Sequence, residues 1–275
     1  MTISLVYFSP TNTTKQVVEK IAEGFDSGQK NEEIDLTKSY VRDKTHSINT
    51  DLCIIGAPCY EARIPPLVRK TLRTLDGNKV PTVAVILYGN RTIGISLKQL
   101  VGILDEQNFS VIATGTFIGE HSYASERLPM ALGRPNQADL SIAAEFGHKL
   151  ATKGLELPRL SRDDIPGKIK TLFKLLPEGF LGSFGKPSAV NREKCNECGT
   201  CVKLCPTDAI NEESLEVDMN KCIRCMACVK FCLQGARTVE FRLKGLVDKF
   251  MGPAVRSKRE PKYYFADEIV AKRKK

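Results

Sequence analysis

The chain has 275 residues, 42% hydrophobic and 27% charged, with no Trp and a formal net charge of +9. That length accommodates one medium domain and one small one. Its longest apolar run, residues 83–88, is far too short to span a bilayer. The first residues go directly into a strand-like segment without the basic region of a secretory leader, so a reducing, cytoplasmic location is expected. The charge is uneven: residues 1–155 carry 17 Lys/Arg against 16 Asp/Glu, whereas residues 241–275 carry 11 against 4.

Residues 3–8 form a short apolar run, as expected for a strand buried on both faces of a parallel sheet. The hydroxyl-rich loop Ser9-Pro10-Thr11-Asn12-Thr13-Thr14 follows, and then a helical pattern of Val17, Val18, Ile21, Ala22 and Phe25 closed by Gly28. Strand, loop and helix in this order aim hydroxyls and free amides at a phosphate over a helix N-terminus. Further strands are expected at 34–36, 51–57, 83–87 and 111–117, with helices after Pro66, over 97–104 and over 136–150. Five strands alternating with helices imply a doubly wound α/β sheet with right-handed crossovers. Ligands on such sheets sit at the carboxyl ends of the strands. Here those ends carry the hydroxyl loop, Pro58-Cys59-Tyr60, Tyr88-Gly89-Asn90-Arg91 and Gly119-Glu120-His121-Ser122-Tyr123.

Residues 1–152 resemble a flavodoxin domain. The loop Ser9 to Thr14 is similar to that family's phosphate loop, with Asn12 where Gly is usual; Asn tolerates positive φ better than other non-glycines. Gly56-Ala57-Pro58-Cys59-Tyr60, with Arg63 and Pro65, resembles the loop that covers the isoalloxazine ring, and Gly89-Asn90-Arg91 the second ring-contacting loop. The resemblance implies FMN as cofactor, bound by Ser9, Thr11, Asn12, Thr13 and Thr14 at the phosphate. Pro58, Cys59, Tyr60, Gly89, Asn90, Arg91 and Tyr123 are then expected around the ring, with Tyr60 stacking on it. Without Trp, either Tyr88 or Tyr123 fills the other face, or that face is left open to a partner. Cys59 reads as a small residue shaping its turn rather than a redox thiol, and Cys53 as a buried hydrophobe. Of the scattered His46, His121 and His148, only His121 falls near the expected flavin, and no catalytic role is assigned to it.

Residues 153–185 read as a linker, marked by Pro158, Pro166 and Pro177, with a short amphipathic helix at about 168–176 that acts as a strut between domains. Next comes a ligand pattern written twice, Cys195-x2-Cys198-x2-Cys201-x3-Cys205 and Cys222-x2-Cys225-x2-Cys228-x3-Cys232, offset by 27 residues throughout. Three thiolates in one loop suit three irons of a cubane, and the fourth Cys ligates the other cluster. One [4Fe–4S] cluster is thus expected on Cys195, Cys198, Cys201 and Cys232, the other on Cys205, Cys222, Cys225 and Cys228. Structural zinc prefers separated ligand pairs, and disulfides need an oxidising compartment.

The stretch 186–240 resembles bacterial two-cluster ferredoxins, of α+β fold. Pro206 follows the first quartet, but Leu233 replaces the proline usual after the second, so the turn at Cys232 is free to differ. Residues 241–275 begin with a short amphipathic helix over 241–251 and continue as a basic, solvated tail, suited to docking a redox partner protein with an acidic surface. No module for nucleic acid accompanies it. The whole chain resembles the flavodoxin–ferredoxin fusion proteins of anaerobic bacteria and archaea, which implies electron transfer between flavin and iron–sulfur centres. The alternative is an FMN-dependent oxidoreductase acting on NAD(P)H, a quinone or another small molecule. The chain has no G-x-G-x-x-G fingerprint, so a nicotinamide would have to dock directly on the flavin.

Overall fold

The computed structural model describes residues 1–25, 32–169, 177–242 and 258–273, and positions 245, 249, 251, 252, 255 and 256. Elements in chain order are β1 (Ile3–Tyr7), α1 (Thr13–Glu23), β2 (Glu32–Asp35), α2 (Ser39–Arg42), β3 (His46–Ser47), β4 (Leu52–Cys59) and α3 (Pro66–Leu72). Then come β5 (Leu75–Asp76), β6 (Pro81–Tyr88), α4 (Ser96–Glu106), β7 (Ser110–Ile118) and α5 (Gln137–Lys153). The C-terminal part adds β8 (Gly185–Pro187), α6 (Thr200–Lys203), α7 (Ala227–Lys230), β9 (Val239–Phe241), β10 (Lys262–Phe265) and α8 (Ala266–Arg273).

The five long-expected strands pair in parallel in the order β2-β1-β4-β6-β7. Taken by sequence rank this is 2-1-3-4-5, the flavodoxin-like winding, with its crevice beside β1 and β4 where the order reverses. β4 shows why its run is uniformly apolar. Leu52 and Ile54 enter the layer shared with α1 and α5, and Cys53, Ile55 and Ala57 enter the layer shared with α3 and α4. Cys53 is fully buried there, as a small hydrophobe.

The C-terminal segment differs from the solvated tail that its charge suggests. β10 pairs antiparallel with β7, Phe265 opposite Ala113, and extends the sheet to six strands. Tyr263 stacks on Phe146 of α5 at 4.6 Å, Lys149 Nζ donates to the Tyr263 hydroxyl at 3.0 Å, and Lys153 pairs with Asp267 at 2.7 Å. Lys262, counted as tail charge, therefore lies in a strand that covers the open edge of β7, a place where unpaired backbone invites association.

The stretch after α5 also packs: Leu160 is fully buried, its amide donates to Val111 at 2.8 Å, and Ile165 joins the α4 side of the core. The helices expected at about 168–176 and over 241–251 fall largely outside the described residues. In the cysteine-rich unit, β8 and β9 form a two-stranded antiparallel ribbon, and α6 and α7 are single turns. No described helix is long and apolar enough to cross a membrane.

Phe265 is buried against Phe146, so Phe265→Ala should destabilise the α/β unit by about 3 kcal/mol. Leu233→Ala, at a fully solvated position, should stay within about 0.5 kcal/mol of the parent. Denaturant midpoints followed by circular dichroism check both, and equal midpoints for the two variants would remove β10 from the folded core.

Candidate functional site

Two pockets hold the eight repeated cysteines, four in each. One is lined by Cys195, Cys198, Cys201 and Cys232. The other is lined by Cys205, Cys222, Cys225 and Cys228. The fourth cysteine of each motif thus crosses to the pocket of the other. No three described Cys, His, Asp or Glu side chains gather about a single ion, and each pocket offers four thiols, the donor set of an iron–sulfur cluster. That arrangement fits a polynuclear cluster.

The sequence repeat is also a backbone repeat. Glu197 and Arg224, Gly199 and Met226, and Asp208 and Gly235 all have positive φ, and each pair is offset by the same 27 residues as the cysteines. Behind the fourth cysteine of each motif, an amide donates to sulfur at 3.3 Å, Ala209 to Cys205 and Ala236 to Cys232. The turn at Cys232 therefore matches the one at Cys205, although Leu233 stands in place of proline. Such N–H···S contacts tune an iron–sulfur centre's potential.

The two pockets differ in surroundings. The second is walled by Ile210, Val217, Ile223, Met226 and Ala227. Burial pushes the thiols of Cys225 and Cys228 up to about 12 and that of Cys222 upward too, so thiolates there need strong positive charge beside them. The first is walled in part by Asn196, Glu197 and Gln234, and Cys198 is exposed. Hydrogen bonding from Thr200 holds the Cys198 thiol below its ordinary value.

At the carboxyl edge of the sheet, Asn12 takes the left-handed conformation, φ 64°, directly before α1. The Ser9 hydroxyl accepts the Lys15 amide at 3.0 Å, and Asn12 donates to the Ser9 carbonyl at 3.1 Å. Among the described hydrogen bonds the amides of Thr11, Thr13 and Thr14 have no acceptor, which leaves them for an anion over the helix start. Gly56 lets α1 approach this closely: a Cβ there would lie 2.6 Å from Thr14 Cγ2. Gly119 brings the loop after β7 to the same place, its would-be Cβ 3.3 Å from Thr13 Oγ1.

The loops after β4 and β6 adjoin. Tyr60 and Arg63 exchange backbone hydrogen bonds at 2.8 and 2.9 Å around Glu61 and Ala62, both with positive φ, a type I′ turn built without glycine. Ala62 accepts the Ile95 amide at 2.9 Å, and Asn90 is only 4% exposed. Burial pushes the Cys59 thiol up to about 12; its sulfur lies 3.5 Å from the Thr92 and Ile93 carbonyls, as suits a turn former. His121 packs on Gly89, and burial, with Arg91 and Lys230 nearby, lowers its imidazole to about 4. Its Nδ1 faces the Tyr123 amide at 3.1 Å. That neutral imidazole holds the loop and is not a proton donor near neutral pH.

Tyr123 turns toward the C-terminal half. Its hydroxyl donates to the Gly182 carbonyl at 2.7 Å, and its ring meets Phe241 edge-on at 5.7 Å. Glu61 accepts the amides of Gly179 and Gly182, and Glu178 pairs with Arg63 and Arg69. Lys230 pairs with Glu120 and donates to the Ala124 carbonyl at 2.7 Å, while Arg42 donates to the Pro206 carbonyl. None of these junction contacts was legible from spacing. The only local hint was a run of aromatic and acidic residues in the loops after β4 and β7.

Residues 188–233 match the model of the 4Fe-4S dicluster domain. No curated protein matches the chain. Among solved structures, the N-terminal part is similar to a flavodoxin from the domain Archaea, at 16% identity and TM-score 0.36, over 56% of this chain and 98% of that one. It is similar to an oxidised flavodoxin from Bacillus cereus, at 16% and 0.37, over 57% and 100%. It is also similar to rubredoxin oxygen:oxidoreductase from the anaerobe Desulfovibrio gigas, at 17% and 0.39, over 55% of this chain and 35% of that one. By its strand order and its matched segment, the chain joins a flavodoxin-fold unit to a 4Fe–4S dicluster unit.

Proposed function

We propose that the chain is an electron-transfer protein that binds FMN and two [4Fe–4S] clusters and passes electrons between them within one molecule. The observation that carries the reading is the junction. The residues between Cys222 and Cys232 touch the same loops that the flavin reading places around the ring. Ile223 packs on the α4 side of the sheet core, and Lys230 pairs with Glu120. FMN supplies two-electron chemistry and the clusters one-electron transfer.

The chain's own residues have separate tasks in this reading. The amides of Thr11, Thr13 and Thr14 and the hydroxyls beside them hold the terminal phosphate. The type I′ turn at Glu61–Ala62 and the loop after β6 fix the ring's edge. Tyr123, Glu61 and Lys230 keep the cluster unit against these loops. An oxidoreductase acting on NAD(P)H is separated by steady-state turnover of the pure holoprotein, for which the carrier reading expects no appreciable oxidation.

Anaerobically prepared protein should hold about eight irons per chain, with visible absorbance that bleaches with dithionite. Cys205→Ala should leave about four and remove the cluster of Cys222, Cys225 and Cys228. Loss instead of the cluster of Cys195, Cys198 and Cys201 would undo the crossed assignment.

The extracted flavin should be FMN. Thr11→Ala and Thr13→Ala should each weaken its binding by about 1–3 kcal/mol through lost charge-assisted hydrogen bonds. Unchanged affinity in the double variant, read by flavin fluorescence titration, would place the phosphate elsewhere.

In rapid mixing, flavin oxidation and cluster bleaching should proceed at a rate independent of protein concentration, because both centres are held in one molecule. A rate rising in proportion to concentration would mean collision between molecules.

A further inference from the structure

The two cysteine pockets are equivalent in sequence but not in place. The one holding Cys205, Cys222, Cys225 and Cys228 faces the flavodoxin unit. Ile223, between two of its ligands, is packed on the sheet core, and Lys230 is locked to Glu120 and Ala124 in the loop after β7. Arg42 reaches across to the carbonyl of Pro206, the residue after Cys205. At Gly182 a would-be Cβ lies 2.8 Å from Glu61 Oε1, 3.6 Å from the Tyr123 hydroxyl and 3.7 Å from Cδ of Arg224, which stands between Cys222 and Cys225.

The pocket holding Cys195, Cys198, Cys201 and Cys232 has no such attachment among the described residues. Among the described residues, no hydrogen bond or ion pair joins residues 190–204 to residues 1–152. Cys198 is exposed, and Leu233, between two residues of that pocket's wall, is 97% exposed. α6, which carries Cys201 of this outer set, packs against α7, which carries Cys228 of the inner one, so the two pockets adjoin.

We propose that the centres work in a fixed order: flavin, then the inner cluster of Cys205, Cys222, Cys225 and Cys228, then the outer cluster of Cys195, Cys198, Cys201 and Cys232. The outer cluster is the port at which a one-electron redox protein exchanges with the chain. This order rests on the reading above that the chain holds FMN and two clusters. Each electron moving outward reduces the inner cluster as the flavin loses one electron. It then reduces the outer cluster as the inner one is reoxidised, and last reduces the partner protein. A flavin carrying two electrons empties in two such passages, its protons going to solvent; inward flow is the reverse.

The test locates the clusters relative to solvent without using turnover. Holoprotein is reduced until, on average, less than one cluster per chain carries an electron, so that the paramagnetic signals of the two clusters add without coupling. A water-soluble dysprosium chelate is then added, and the electron-spin relaxation of each signal is measured. The signal relaxed several-fold faster by the chelate should be the one altered by Cys198→Ser, and the protected signal the one altered by Cys225→Ser. If Cys198→Ser does not fold, Cys201→Ser marks the same cluster. Lys230→Glu, which turns the pair with Glu120 into a repulsion, should make the protected signal sensitive to the chelate.

Equal relaxation of both signals, or faster relaxation of the one altered by Cys225→Ser, overturns the order. A holoprotein with only one cluster's iron, or without FMN, fails the underlying reading instead, and the iron and flavin counts on the same sample tell the two failures apart.

Discussion

The crossing of Cys205 and Cys232 is the constraint on which the C-terminal half depends. The cysteine unit has little hydrophobic core of its own: the buried apolar residues of 185–242 are Ala209, Ile210, Leu215, Cys225, Met226, Ala227 and Ala236. Its regular structure amounts to two single-turn helices and a ribbon of three-residue strands. A segment this poor in apolar burial needs another source of cohesion, and the proposed clusters would supply it through thiolate bonds made across the repeat. Because each loop contributes a sulfur to both pockets, neither half of the repeat can be organised without the other. The matched positive-φ residues hold each loop in the shape the ligands need. The amide bonds to Cys205 and Cys232 then fix the two sulfurs that do the crossing.

A second constraint sits where the halves meet. Glu61 and Ala62 occupy a turn that glycine or asparagine would fill at lower cost, so the surrounding contacts must maintain it. Those contacts come from both directions: the Ala62 carbonyl is bound by the Ile95 amide, and the Glu61 carboxylate by amides of the segment leading into the cluster unit. The loop expected over the flavin ring and the approach of the cluster unit are therefore mechanically one object. The partly enclosed pair of Lys230 and Glu120 adds a charged contact at the same border, stronger than an exposed pair because water screens it less.

Legibility followed range. The cysteine ligand pattern could be read because its information is local and duplicated, and the pockets group the sulfurs as the spacing implies. The five parallel strands could be read because double burial leaves continuous apolar runs. β10 was missed because it is four residues long, lies amid charge, and finds its partner about 150 residues upstream. Its signal was present in Lys262-Tyr263-Tyr264-Phe265, an aromatic run of high strand propensity. Tyr123 is expected at the ring from its place in the loop after β7. Its direction was decided by Gly182 and Phe241, which no periodicity in residues 119–123 could reveal.

β10 also changes what kind of fusion this is. With residues 262–265 hydrogen-bonded to β7 and residues 110–153 built into the same body, the cysteine unit is an insertion and not an appendage. A module appended at one end can swing through a wide cone. A module whose two ends return to one rigid sheet is confined to the arc that both connections permit, and its loop-closure entropy is already spent in the fold. Proteolytic nicking of a single connection would then leave the cysteine unit attached through the other. The sheet edge at β7, meanwhile, is closed only by a chain that has passed through the entire iron–sulfur region.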